Sequence, residues 1–183
     1  MTPRCKNLSA DESGQTLVEL AVSTILLMTL VFGVIDVSRA IYYLQVMKNL
    51  TSEGSSLSSR GTTLAQAAQT VLTDAGTNMN LTTRGCVITS AVFNNGNPSH
   101  NLNLTGQAFQ GSCSGISSRI GCFPPPSSCG AASLPAEAVA ALQANQSLFI
   151  TEIYYTYAPV TPIGNLLNNI NFLPAQLYDA AYY

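Results

Sequence analysis

The sequence predicts an α+β protein: a long N-terminal transmembrane and amphipathic helix followed by a small mixed α/β domain with antiparallel strands. Three observations carry this. Leu20 to Ile35 contains no charged residue. The stretch that follows, to about Glu53, contains no Gly or Pro and repeats its apolar residues at steps of three and four. Further on, short runs of β-branched and aromatic residues end at turn-forming clusters.

Together with Leu17, Val18 and Val37, the uncharged run makes an apolar tract of about 20 residues, the length that spans a bilayer as a helix. No proline interrupts it. Beyond Asp36, apolar positions Val37, Ile41 and Leu44, and Tyr43, Val46, Met47 and Leu50, give an amphipathic pattern. A continuous helix from Gln15 to about Glu53 would be about 58 Å long. Gly54, followed by Ser55, Ser56, Ser58 and Ser59, reads as its end or as a kink.

A second helix is expected over Thr62–Asp74, with Leu64, Ala67, Ala68, Val71 and Leu72 as its apolar stripe and Gly76 as its stop. Cys86 to Phe93 reads as a strand ending at Asn94-Asn95-Gly96-Asn97-Pro98. Residues 99–130 read as irregular and contain Pro124-Pro125-Pro126. A short helix is expected from Pro135 to Ala144 and a strand from Ser147 to Ala158. That strand has Phe149, Ile153, Tyr155 and Tyr157 on one side and Ile150 and Tyr154 on the other. After Pro159 and Pro162 the tail is apolar and Asn-rich. The chain therefore divides into a polar leader, 1–14, and an N-terminal helix, 15–60, with its membrane segment at about 17–37 and its amphipathic extension to about 53. An extracytoplasmic domain, 61–183, follows.

Composition restricts function. Charged residues are 9% of the 183, and the net charge of −2 gives no electrostatic basis for binding nucleic acid. From Gly61 onward only Arg84, Arg119, Asp74, Glu137, Glu152 and Asp179 are charged, and Asn, Ser, Thr and Gln supply the remaining polarity. A surface of that kind is common outside the cytoplasm. Cys5 stands apart, whereas Cys86, Cys113, Cys122 and Cys129 form an even set, the mark of a disulfide framework in an exported domain. A zinc site using three of them with His100, the sole histidine, is the alternative, but the paired C-x-x-C spacing is missing. Four thiols allow three pairings. Cys86–Cys113 together with Cys122–Cys129 is preferred, because the six-residue Pro-rich insert favours local closure, although three consecutive prolines can equally hold the ends apart. No P-loop, G-x-G-x-x-G, H-E-x-x-H or G-x-S-x-G is present, so neither a catalytic residue nor a cofactor or metal is assigned.

The most informative residues are Gly14, Gln15 and Glu19, at the edge of the apolar tract. Glycine without a Cβ lets another backbone come close, as a peptidase requires. Cleavage after Gly14 would make Gln15 the first mature residue and remove Cys5 with the leader. A carboxylate at the depth of Glu19 is costly in lipid and is a functional candidate for that reason. Its natural partner is the Gln15 α-amino group of a neighbouring copy, a buried pair that would set the register of stacking. Losing one partner of such a pair costs about 3–5 kcal/mol. Two other readings of the segment are an uncleaved signal anchor and a signal peptide cut near Ala40.

Gly14-Gln15-Thr16-Leu17-Val18-Glu19, the apolar run, Gly33-Val34-Ile35-Asp36-Val37-Ser38-Arg39-Ala40 and Glu53-Gly54 resemble the TadE-like family, the minor pilins or pseudopilins of the tight-adherence (Tad/Flp) pilus. The resemblance covers about 13–61 and includes a class III, type IV prepilin-like signal. It implies processing at Gly14, Gln15 and Glu19 and a non-enzymatic role in assembling a pilus for adherence or secretion. The implied partners are a prepilin peptidase, other pilins or pseudopilins, an inner-membrane assembly platform and the membrane itself. It also implies a single-pass inner-membrane protein with its leader in the cytoplasm and residues after about Arg39 outside. Leu20 stands where major pilins of this kind often carry tyrosine, which favours a minor subunit, as does the large domain. The competing class is a signal-anchored envelope protein whose outer domain binds a ligand or partner.

Overall fold

The computed structural model describes residues 9–76, 79–96, 102–121, 132–162, 164 and 174–183. The chain opens with helix α1, Ser9–Ser59, which continues through Gly14 without a break. Then come α2 (Leu64–Asp74), α3 (Leu81–Arg84), β1 (Gly85–Asn94), β2 (Leu102–Gly111), α4 (Ala136–Ala141), β3 (Ser147–Thr156) and β4 (Gln176–Tyr182). A long apolar helix followed by a four-stranded antiparallel sheet with short helices is the α+β architecture expected. Two compact units share the chain: Met1–Arg39 with Pro159–Leu173, and Ala40–Ala158 with Pro174–Tyr183.

In the second unit the sheet order is β2-β1-β3-β4, with every neighbouring pair antiparallel. One sheet face carries Val87, Thr89, Thr151, Ile153, Tyr155, Leu177 and Asp179. The later part of α1 packs on it through Tyr43, Met47, Leu50, Thr51, Gly54, Ser55 and Ser58, all buried and spaced by one, three or four residues. Tyr43 stacks obliquely on Tyr155, ring centroids 5.3 Å apart, and the Thr51 hydroxyl donates to Asp179 Oδ2 at 2.5 Å. The two apolar stripes read in the sequence thus have different fates. The Tyr43, Met47 and Leu50 stripe enters the core, while Ile41 and Leu44 remain 51% and 39% exposed.

Gly54 does not end α1, which runs on to Ser59. A Cβ there would meet Val71 Cγ2 at 2.7 Å and Thr151 Oγ1 at 2.9 Å. The glycine marks where the helix backbone comes closest to α2 and β3. Ser55 and Ser58 hydroxyls bond back to the carbonyls of Thr51 and Gly54, so the serines enter the packed face without orphaned donors. The helix ends instead at Gly61, φ 96°, in a Schellman motif: Thr62 N–H donates to Leu57 C=O and Gly61 N–H to Ser58 C=O. Thr63 then caps α2, its hydroxyl accepting from Gln66 N–H.

The other sheet face holds two apolar clusters. One contains Val92, Leu102, Leu104, Ile120, Leu142 and Ile150; the other is Cys86, Ile88 and Tyr154 with Cys113, Ile116 and Tyr178 against it. Strands β2 and β4 lie where an irregular segment and an apolar tail were expected. Their sequences hide them. Two glycines and three Asn or Gln residues dilute β2, and Asp179-Ala180-Ala181 dilutes β4. Pairing with the hydrophobic central strands β1 and β3 overrides those weak preferences.

Candidate functional site

Gly14, Gln15 and Glu19 all lie exposed on α1. Gly14 has nothing within 4 Å of the position a Cβ would take, so packing in this chain places no demand for glycine there. Glu19 makes no hydrogen bond or ion pair among the described residues. Around and beyond it, Leu17, Leu20, Ile25, Leu26, Leu27 and Leu30 are each more than 60% exposed. The helix is apolar and long enough to cross a membrane, and none of its most hydrophobic stretch is covered by the rest of the chain. Thr24 and Thr29 hydroxyls donate to the carbonyls of Leu20 and Ile25 at 2.8 Å each, which satisfies those two hydroxyls within the helix.

Asp36, at the far end of that stretch, was not singled out in the sequence. Its side chain is fully buried. It accepts from Val160 N–H at 3.1 Å, from Thr161 N–H at 3.4 Å and from the Thr161 hydroxyl. The Gly164 N–H donates in turn to Thr161 Oγ1 at 3.1 Å, and a Cβ on Gly164 would strike the Asp36 carboxylate. An aspartate directly after sixteen uncharged residues was a signal that something would have to neutralise or solvate it. The identity of its partners, 124 residues later, was not in the local sequence.

In the other unit a disulfide joins Cys86 to Cys113, the first of the two preferred pairings, with Cα atoms 4.8 Å apart. It ties the start of β1 to the segment after β2. The preferred Cys122–Cys129 pairing, and His100, lie outside the described residues. Among the described residues no three His, Cys, Asp or Glu side chains gather as a metal site would need.

The segment tethered by Cys113 closes over a second buried carboxylate. Glu152, in the middle of β3, is fully buried between the two apolar clusters. Its Oε1 accepts from Arg119 N–H at 3.0 Å, Tyr154 hydroxyl at 2.9 Å and Tyr178 hydroxyl at 3.2 Å, and its Oε2 accepts from the Ser118 hydroxyl. Burial, and after it the Glu152 charge, pushes the phenols of Tyr154 and Tyr178 well above the ordinary tyrosine range. The Arg119 guanidinium carbon stands 3.8 Å above the Tyr178 ring. In the sequence Glu152 and Arg119 stand out only as two of the few charges after Gly61. A glutamate between apolar neighbours on a strand was the available signal, since its alternation places it on a buried face.

No curated protein and no solved structure matches the chain. Residues 14–56 match the model of the TadE-like protein family, a similarity confined to the helix-bearing N-terminal segment.

Proposed function

We propose that the chain is a minor pilin or pseudopilin of a tight-adherence pilus. In this reading it is a prepilin peptidase substrate cut between Gly14 and Gln15. It is anchored in the inner membrane by the span at about 17–37, with residues from about 61 onward outside the cytoplasm. The observation that carries the reading is Glu19: a carboxylate without a described partner, five residues past a glycine that packing does not require, at the head of an exposed apolar helix. A lone carboxylate in that position needs a counter-charge from elsewhere. The new α-amino group of Gln15 on a neighbouring copy supplies one once the leader is gone. Ile41 and Leu44 are exposed apolar side chains that other pilin helices and an assembly platform can use. The match over 14–56 supports pilus association, and no catalytic role is proposed.

Intact-mass analysis of the membrane-bound protein tests the reading. The expected species begins at Gln15, as free amine, methylated amine or cyclised glutamine; retention of Met1 removes the main support. Gly14→Leu is expected to block cleavage, because the position is sterically open in the chain itself. Glu19→Ala is expected to be cleaved but to incorporate poorly into sheared filaments. Normal incorporation would exclude a register role for Glu19.

A further inference from the structure

A recess of about 340 Å³ opens beside β4, lined by Arg119, Ser133, Leu134, Pro135, Tyr178 and Tyr182. Its volume lies in the lower part of the range of small-molecule sites. The pilin role uses α1 and gives this recess no task. Arg119 is one of only two cations between Gly61 and Tyr183, and the side chain of the other, Arg84, is hydrogen-bonded to Tyr155. Arg119 is held differently. Its guanidinium stacks on Tyr178, whose ring packs on Tyr154 with centroids 4.9 Å apart and whose hydroxyl is fixed by Glu152. The neighbouring Glu152 takes the Arg119 backbone N–H and three hydroxyls, from Tyr154, Tyr178 and Ser118, rather than the guanidinium. Among the described residues, no acceptor is in hydrogen-bond reach of the guanidinium. The result is a planar fork of N–H donors, fixed by stacking and lacking an acceptor, on the wall of a recess. A carboxylate fits that fork with two parallel charge-assisted bonds. The remaining wall combines the Ser133 hydroxyl and the Tyr182 phenol with apolar Leu134 and Pro135. A pyranose ring offers the matching mixture of C–H faces and rim hydroxyls.

We propose that this recess binds an acidic sugar, a hexuronate unit, with its carboxylate on Arg119, its ring against Leu134 and Pro135, and its hydroxyls at Ser133 and Tyr182. The site goes beyond the pilin reading and is tested apart from it, since neither cleavage nor filament assembly enters the measurement.

The full-length chain in non-ionic detergent is titrated with D-glucuronate, and binding is read by saturation-transfer NMR and calorimetry. Glucose and an acetylated dipeptide with a free C-terminal carboxylate are run as separate arms. Saturable glucuronate binding is expected in the millimolar range, with glucose and the peptide each at least about tenfold weaker. R119Q is expected to weaken glucuronate binding by about tenfold or more, with R119K intermediate because it keeps the charge and loses the fork. Y182F is expected to weaken it by about threefold while keeping the ring. Melting temperatures are taken alongside; if R119Q does not fold, R119K and Y182F decide. The proposal is overturned if glucuronate shows no saturable binding up to about 50 mM. It is equally overturned if glucose or the peptide binds as tightly, or if the folded Arg119 and Tyr182 variants bind as the parent does.

Discussion

Replacing Glu152 by leucine changes little in volume but removes the acceptor that serves four donors on one side of the sheet. The Tyr178 and Ser118 hydroxyls belong to half-buried residues and can turn toward water. The Arg119 N–H keeps the Tyr154 hydroxyl oxygen at 3.1 Å as a second acceptor, and the buried Tyr154 hydroxyl is the most constrained donor. A buried donor left without an acceptor costs about 1–3 kcal/mol, so Glu152→Leu is expected to destabilise the sheet unit by roughly 2–5 kcal/mol. Glu152→Gln isolates the cause. Its carbonyl can take the Oε1 position and keep three of the four bonds, while its NH2 faces Ser118, whose hydroxyl can accept in place of donating. Only the charge assistance is then lost, about 1–2 kcal/mol. The assay is urea denaturation of the full chain in non-ionic detergent, followed by near-UV circular dichroism of the tyrosines, because the chain has no tryptophan. Leucine as stable as the parent, or glutamine no better than leucine, would refute the argument that unmet donors set the cost.

The close approach at Gly54 predicts that Gly54→Ala lowers the melting temperature by about 4 °C, roughly 1 kcal/mol, despite the helix propensity it gains. Stabilisation by alanine would show that Val71 and Thr151 relax freely. Replacing Cys86 and Cys113 by serine opens a span of 27 residues and should cost about 3–4 kcal/mol, read as a denaturation midpoint with and without reductant. Since Tyr154 and Tyr178 have phenol pKa values raised above the unfolded value, both states hold the proton below about pH 10 and the unfolded state loses it first above that. Stability should therefore be flat up to about pH 10 and fall as pH rises further, and the fall should end at a lower pH in Glu152→Gln; an unchanged profile in that variant would remove Glu152 as a contributor. Asp36→Ala leaves the Val160 and Thr161 donors without their acceptor, so hydrogen exchange at those two amides should rise by about tenfold or more while exchange in β1 stays unchanged. Unaltered exchange at Val160 and Thr161 would mean that the carboxylate does not hold that segment.

Local sequence determined the elements whose signal is periodic. The uncharged run and its amphipathic continuation specified α1. The Leu64, Ala67, Ala68 and Val71 stripe specified α2, and the β-branched and aromatic runs specified β1 and β3. Only tertiary structure decided the rest. Gly54 looks like a helix end because glycine lowers helix propensity, but its role is to clear space for Val71 and Thr151, atoms absent from its neighbourhood in sequence. Strands β2 and β4 have little propensity of their own and form because the central strands offer them hydrogen bonds and an apolar face. Asp36 and Glu152 are legible as charges, but a buried carboxylate is defined by its donors. Those donors come from residues 160–161 in one unit and from residues 118–119, Tyr154 and Tyr178 in the other. Periodicity records which side of an element faces inward, whereas long-range hydrogen bonds and close approaches depend on which distant residues the fold brings there.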